Sequence, residues 1–163
     1  MNSVGKLLSR HLNNMPAGTL TWIGLRSERK ARMTIVESAK AIAIRGLEGD
    51  RRCASTPGSG RQVTLINQEH IDVVASLMGL ASIAPEQLRR NLVVTGVNLQ
   101  ALRHQRFRIG EAEFEANAHC HPCLRMEQNL GTGAVAAMLG HGGICAKIIT
   151  SGVIAIGDKV EKL

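Results

Sequence analysis

Five consecutive residues, His119-Cys120-His121-Pro122-Cys123, form the part of the chain richest in chemically active side chains. Four of the five are histidine or cysteine, which can ligate a metal ion or carry redox chemistry. The loop directly follows a β-prone run at residues 112–118, so we expect it to stand at the end of a strand. We therefore predict that the chemistry of the protein is centred on this loop.

Two interpretations of the loop use both of its cysteines. In a thioredoxin-like redox pair, Cys-x-x-Cys opens a helix after a strand, but the βαβ pattern that surrounds such a pair is missing here. A structural zinc site needs four ligands, which usually come from two separated pairs. The sequence has no second Cys/His pair, so Cys53, His104 or His141 would have to complete such a site singly.

Two further interpretations stay open from the residues alone. A single thiolate from the loop could bind a soft metal ion whose remaining positions are filled by a cofactor. Alternatively, both cysteines pack as small buried hydrophobes, which is common for cysteines without a reactive environment. His119 taken alone is more often a hydrogen-bonded core or rim histidine than a ligand.

The elements that must position this loop are mostly short strands. We predict strands or strand-containing runs at residues 19–27, 29–40, 41–45, 62–66, 92–95, 107–109, 112–118, 145–150 and 153–163, the last broken at Gly157-Asp158. Residues 46–50 are punctuated by glycine and predict a tight turn, and a loop follows to residue 60. We expect a hairpin turn at residues 109–111.

Helices are fewer, and the clearest covers residues 68–78. Its apolar residues recur at i, i+3, i+4 and i+7: Ile71, Val74, Ala75 and Met78. Asn67 is placed to cap its first turn and Gly79 to end it. Short helices are expected at residues 85–88 and 133–139. The pattern predicts a mainly β or α+β, β-barrel-like domain with a few short helices, and disfavours a doubly wound sheet or a P-loop.

Length and composition set the class of protein. The chain has 163 residues, of which 44% are hydrophobic and 20% charged, which is typical of one globular domain. No apolar run approaches the ~18 residues of a membrane span, so we expect no membrane partner. Four cysteines without an export signal favour reduced thiols in the cytoplasm.

We expect residues 1–17 to be an N-terminal extension and residues 18–163 to be the domain. The first acidic residue is Glu28, and Lys6 and Arg10 stand among several leucines. This stretch faintly resembles a basic amphipathic transit peptide, and a frayed terminus or a short surface helix is the alternative.

The charge is strongly positive, with 20 Lys+Arg against 13 Asp+Glu and a formal net charge of +7. Such an excess attracts anions. The densest basic clusters are Arg26/Arg29/Lys30/Arg32, Arg51/Arg52/Arg61, Arg89/Arg90 and Arg103/Arg106/Arg108. Only 2% of residues are aromatic, so the chain offers few platforms for stacking bases, and no DNA-reading motif accompanies the charge. A small phosphorylated ligand is therefore favoured over nucleic acid.

Several short motifs follow one another along the chain in an order that resembles the MOSC domain, named for the C-terminal domain of molybdenum-cofactor sulfurase. In sequence order they are Gly46 to Arg51, Arg61 to Ile66 with Glu69, Arg89-x-Asn91-Leu92-Val93-Val94-x-Gly96-Val97-Asn98-Leu99, Phe107 to Ala112, Pro122-Cys123, Gly142-Gly143, and Ser151 to Asp158. Each motif is weak by itself, but the order extends over residues 18–163. The resemblance implies the β-barrel-like MOSC fold.

The resemblance also implies a cofactor, the molybdenum cofactor, and residues that would hold it. Cys123, in the Pro-Cys pair, would ligate molybdenum and serve as the catalytic residue. The residues expected at the cofactor pocket are Asp50, Arg51, Arg61, Gln62, Arg89, Asn91 and His121. Arginines would bind the cofactor's phosphate through charge-assisted hydrogen bonds.

The function implied is an oxidoreductase that reduces small N-hydroxylated compounds with a separate electron-transfer protein. The first alternative is a sulfur carrier that holds a persulfide on Cys123, supplied by a cysteine desulfurase. The second is a non-catalytic module that binds cofactor or nucleic acid. Two departures from the family pattern bear on the pocket: many bacterial members have Glu where this chain has Arg90, and His where it has Arg52.

Overall fold

A closed barrel of seven strands forms the centre of the molecule. The computed structural model describes residues 9–163. The strands are β1 (Gly18–Leu25), β2 (Thr34–Val36), β3 (Ser38–Ile42), β4 (Gly46–Leu47), β5 (Val63–Asn67), β6 (Leu92–Thr95), β7 (Arg106–Ile109), β8 (Ala112–His119), β9 (Ile144–Thr150), β10 (Gly152–Ala155) and β11 (Lys159–Lys162). The barrel order is β11-β7-β8-β9-β5-β6-β1, and a β1–β11 pairing closes it. This confirms the predicted barrel-like fold.

Two smaller features complete the β structure. Strand β2 pairs with the end of β1, and β10, β3 and β4 form a separate three-stranded sheet. The helices are α1 (Gln68–Leu77), α2 (Pro85–Leu88), α3 (Leu124–Leu130) and α4 (Ala134–Met138), with a 3-10 turn at Arg10–Leu12. Among residues 9–163, no helix is long and apolar enough to cross a membrane. The part of the proposed N-terminal extension at residues 1–8 lies outside the described residues.

Two clusters of buried apolar side chains form the hydrophobic core of the protein. One fills the barrel and contains the stacked rings of Phe107 and Phe114, with centroids 5.3 Å apart. The other lies between the helices and the outer face of the barrel, and includes Ile71, Val74 and Met138. Strand β5 separates the clusters and is buried at every position because both of its faces are covered. The apolar stripe predicted for residues 68–78 is thus the face that α1 packs on the barrel.

Four sequence expectations differ from the structure. The strand predicted at residues 41–45 ends at Ile42, and residues 43–45 form a turn. Residues 46–50 were expected to form only a turn, but Gly46 and Leu47 pair with β3 as a short strand, because pairing depends on the partner strand. Helix α3 was not predicted. Asn67 stands at the N-cap of α1, but its side chain makes no capping bond; it donates to the Val97 carbonyl (2.6 Å) and accepts from the Leu99 N–H (3.3 Å).

The register of the barrel brings particular strand ends together. Strands β5 and β6 run parallel, so both begin at the same end of the barrel. Strand β1 is antiparallel to β6, so β1 ends where β6 begins. The segments that follow β1 and precede β5 and β6 therefore meet in space, although they are far apart in sequence.

Candidate functional site

Cys123 lies at the N-cap of α3, in extended conformation, where the chain leaves β8 and turns into the helix. Its side chain is exposed, and all four cysteines among the described residues are free thiols. The thiol borders a cleft with about 590 Å³ of space, part of it open to solvent. Cys123 is therefore accessible to a ligand and is not a core residue.

The cleft is lined almost entirely by cations. Nine of its eleven lining residues are basic: Arg26, Arg29, Lys30, Arg51, Arg52, Arg61, Arg89, Arg90 and Arg125. The other two are Cys123 and Met126, so no acidic residue lines the cleft among residues 9–163. They come from the end of β1, the β1–β2 loop, the segment after β4, the residues before β5 and β6, and the start of α3. Such a wall concentrates positive potential on one side of the molecule.

Mutual repulsion and burial act on these side chains. Burial lowers the pKa of Arg52, and the positive charges of Arg61 and Arg51 lower it further. Burial likewise lowers the pKa of Arg89, which Arg125 and Arg51 also depress. Arginine stays protonated in spite of such shifts because its ordinary pKa lies far above neutral pH. The cleft therefore holds its positive charges close together, and a bound anion would relieve the repulsion.

Asp50 is a buried carboxylate that lies behind the lining of this cleft, and both of its oxygens accept hydrogen bonds. It is buried and accepts hydrogen bonds from the Arg26 N–H (2.9 Å), the Asn91 amide (2.9 Å) and the Arg52 N–H (3.0 Å). It also forms an ion pair with the Arg26 guanidinium at 3.5 Å. Asp50 thus fixes the backbone that carries two of the cationic side chains, and neutralises at most one of the nine.

Asn91 supports the cleft from beneath and does not line it. Its side chain is buried; its oxygen accepts from the Thr64 N–H (3.2 Å) and hydroxyl (3.1 Å), and its amide donates to the Gly24 carbonyl (3.1 Å) as well as to Asp50. These bonds join β1, β5 and β6 at the point where the arginine-bearing segments begin. The polar side chain of Asn91 therefore sets the relative positions of these strands.

Arg90 is the most deeply buried cation of the cleft, with 4% of its surface exposed. It donates to three carbonyl oxygens, of Gly142 (2.8 Å), Leu88 (2.9 Å) and Cys120 (3.1 Å). Among residues 9–163 it makes no ion pair with a carboxylate. A buried cation without an anionic partner is costly, so this charge is available to an anionic ligand or thiolate nearby. Its bonds also hold the loop that carries Cys123.

The remaining expected residues divide between the cleft and its surroundings. Arg51, Arg61 and Arg89 line the cleft together with Cys123. Gln62 is buried instead and bridges the Ser59 carbonyl (2.8 Å) and the Ile148 N–H (2.8 Å), so it shapes the start of β5. His121 is exposed and lines a neighbouring cavity with His119 and Cys120. The structure therefore brings four of the expected side chains to one cleft and leaves Asp50, Gln62, Asn91 and His121 beside it.

Six of the cationic residues were not among those expected to hold the cofactor, although Arg52 and Arg90 had been noted as departures from the family pattern near the pocket: Arg26, Arg29, Lys30, Arg52, Arg90 and Arg125. The available signal was the clustering of basic residues, because three of the four dense clusters meet in this cleft. The fourth cluster contributes no lining residue. Arg125 lies outside these clusters, two residues after Cys123. Its place at the cleft could have been predicted only if helix α3 had been predicted.

Cys120 and Cys145 form a buried thiol pair behind the loop. A hydrogen bond with Cys145 lowers the pKa of Cys120 to about 6, against the opposing effect of burial, and Arg90 adds to the lowering. The same hydrogen bond, with burial, raises the pKa of Cys145. Since Cys120 is 1% exposed and Cys123 is exposed, the accessible thiol of the loop is Cys123.

Comparison with known proteins identifies the fold family. The model of the MOSC domain family matches residues 48–161, which is most of the chain. The chain belongs to the MOSC domain family. No curated protein matches this MOSC chain in sequence.

Solved structures agree with the architecture of this MOSC domain. The YuaD protein from Bacillus subtilis has a TM-score of 0.77 and 19% identity, over 91% of this chain and 97% of that chain. YiiM from Escherichia coli has a TM-score of 0.68 and 19% identity, over 89% and 69% of the two chains. YiiM from Geobacillus stearothermophilus has a TM-score of 0.71 and 13% identity, over 91% and 75%. At these identities the likeness establishes the fold alone.

Proposed function

We propose that this MOSC domain binds the molybdenum cofactor in the Cys123 cleft and reduces small N-hydroxylated compounds with electrons from a separate electron-transfer protein. The observation that carries the proposal is one exposed thiol in a cleft lined by nine cationic side chains. The MOSC family is associated with this cofactor, which is a pterin with two dithiolene sulfurs and a phosphate.

The side chains of the cleft fit such a group. Thiolates suit the softer transition metals, and a single protein sulfur is sufficient when the cofactor supplies two more. The cofactor's phosphate and overall negative charge match a wall without a lining carboxylate. The planar guanidinium groups can hold phosphate oxygens through paired hydrogen bonds.

Each part of the cleft has a distinct task in this proposal. Cys123 would ligate the metal, and Arg51, Arg61 and Arg89 would bind and orient the phosphate. Arg90 holds the Cys123 loop through the Cys120 carbonyl (3.1 Å). The bound cofactor would supply the two-electron chemistry, while the protein contributes orientation and electrostatics.

The test is metal and pterin content after expression in a host that makes the cofactor. We expect about one molybdenum and one pterin per chain in the wild type, and at least a tenfold loss of molybdenum in Cys123→Ser. Cys53→Ser is the matched control, because Cys53 is a half-buried thiol that does not line the cleft. Reduction of an amidoxime by the loaded protein with a reduced dye then tests the activity. Absence of molybdenum and pterin in the wild type would refute the proposal.

The exposure of Cys123 also suits a sulfur carrier, the second candidate function. A partner desulfurase could reach this thiol and leave a persulfide on it, which the cationic wall would hold as an anion. Intact mass would then show about one additional sulfur on Cys123, removable by reductant, and no molybdenum. A non-catalytic binding module would instead bind its anion equally well in the wild type and in Cys123→Ser.

A further inference from the structure

Two histidines outside the cleft stand close together on different elements. His70 is in the first turn of α1, and His141 is in the turn between α4 and β9. Their ring centroids are 5.2 Å apart, and the ring planes make an angle of 61°. Neither ring lines the Cys123 cleft. The function proposed above makes no use of this pair.

The inner nitrogen of each ring lacks a partner. Nδ1 of His70 and Nδ1 of His141 are both buried and have no hydrogen-bond partner among residues 9–163. A buried ring nitrogen without a partner is unfavourable whether it carries a proton or a lone pair. Two such nitrogens in adjacent rings point to a group that would satisfy both.

The spacing of the rings matches two imidazoles bound to one metal ion. With Zn–N distances of about 2.0–2.1 Å, the ion lies about 3.2 Å from each ring centroid, and a tetrahedral angle then places the centroids about 5.2 Å apart. The observed separation is 5.2 Å. An edge-to-face contact between two neutral rings could share this spacing, but it would satisfy at most one of the two Nδ1 atoms.

The donor type of the pair suits a transition metal ion. Neutral imidazole is a ligand for zinc, copper and nickel. No third His, Cys, Asp or Glu completes a cluster of three among the described residues, so water would fill the other positions.

We propose that His70 and His141 form a two-histidine site for a divalent transition metal ion such as Zn²⁺, with the other positions open to water. The ion would join α1 to the turn that precedes β9. That turn includes Gly142, whose carbonyl accepts a hydrogen bond from Arg90 (2.8 Å). The site thus connects to the scaffold of the cleft without belonging to it.

The test is metal titration of tag-free, chelator-treated protein in the Cys123→Ser background, which removes the exposed thiol. We expect one equivalent of Zn²⁺ or Co²⁺ by calorimetry, a d–d absorption of Co²⁺ without a sulfur-to-metal band, and a rise in Tm. His70→Gln and His141→Gln should each weaken binding at least tenfold.

The matched control is the other close histidine pair, His119 and His121, whose ring centroids are 5.8 Å apart. His119→Gln and His121→Gln should leave the affinity within a factor of two. Circular dichroism checks that each variant folds, and imidazole ¹⁵N shifts in the background protein report the ligands without mutating either histidine. Absence of binding, loss of binding only in the control pair, or shifts confined to His119 and His121 would overturn the proposal. None of these outcomes depends on the molybdenum cofactor.

Discussion

Asn91 does not line the cleft, but its hydrogen bonds position the segments that carry cleft residues. Its side chain joins three strands through Thr64, Gly24 and Asp50. Asp50 in turn holds the backbone of Arg26 and Arg52. A buried polar network therefore positions the backbone of two of the cleft's cations.

Replacement of Asn91 by alanine should be strongly destabilising. The change removes the Asn91 hydrogen bonds to Asp50, to the Gly24 carbonyl and to the Thr64 N–H, all at buried positions, and we expect a loss of about 2–4 kcal/mol in the free energy of unfolding. Urea denaturation measures it. The control is Asn14→Ala at an exposed position, which should change stability by less than about 0.5 kcal/mol. Similar stability of the two variants would contradict the role given to Asn91.

At the scale of elements, the loop after β8 depends on a close approach of backbones at the start of β9. The Gly143 carbonyl accepts from the Cys120 N–H (2.9 Å), and Gly143 has φ +87°. A Cβ at this position would meet the Leu65 carbonyl of β5. The approach of β9 to β5 thus requires glycine and fixes where the cysteine loop begins.

Gly143→Ala should therefore lower the free energy of unfolding by about 3 kcal/mol or more, since it combines an unfavourable φ with a backbone clash. Gly133→Ala is the matched control, because Gly133 also has positive φ (+95°) but open space around a new Cβ. It should cost only about 1–2 kcal/mol. Thermal and urea unfolding compare the two variants, and equal losses would show that the contact with Leu65 does not matter.

Helix α1 is tied to the end of β6 by a carboxylate. Glu69 accepts from the Gly96 N–H (2.7 Å) and the Thr95 hydroxyl (2.9 Å). Burial opposes ionisation, but these hydrogen bonds outweigh it and lower the pKa of Glu69. The folded protein thus favours the ionised carboxylate more than the unfolded chain does.

This tie predicts a pH dependence of stability. Because the folded pKa is the lower one, the contribution is present above the unfolded pKa and is lost as pH falls through the folded pKa. Glu69→Gln should lower the Tm at pH 7, and the difference from wild type should shrink towards about pH 3. Glu86→Gln, at an exposed position, serves as control. A Tm difference for Glu69→Gln that is constant with pH would contradict the prediction.

At the scale of the whole molecule, barrel closure gathers much of the chain's positive charge on one cleft. The net charge is +7, and nine cationic side chains line this cleft. Their mutual repulsion opposes folding when no anion is present. Multivalent anions should therefore stabilise the protein through this site.

We expect millimolar pyrophosphate to raise the Tm of the ligand-free protein by several degrees more than chloride at equal ionic strength. Differential scanning fluorimetry measures the shift. Arg61→Gln/Arg89→Gln should remove most of it. Arg108→Gln/Lys162→Gln changes the net charge equally at two residues of the β7–β11 pair that do not line the cleft, and should keep the shift. An equal shift in both double variants would mean that pyrophosphate binds elsewhere.

The sequence by itself determined the fold class and helix α1, and it predicted that the loop at residues 119–123 is the centre of the chemistry. These follow from local patterns: strand-sized β-prone runs, an apolar stripe of helical spacing and a dense group of cysteines and histidines. It also indicated an anionic ligand, through net charge and clustering. Such features depend on residues close together in the chain, which is why periodicity and composition reveal them.

Only the tertiary structure decided which side chains meet at Cys123. Arg26, Arg61 and Arg90 are far apart in sequence and come together because β5 and β6 run parallel and β1 runs against β6. The tertiary structure also placed Asn91 and Gln62 in the supporting interior, since burial depends on what packs over a strand. Local sequence patterns do not show which elements pack over a strand. A polar residue at a strand end therefore has the same sequence signature whether it contacts a ligand or hydrogen-bonds within the protein interior.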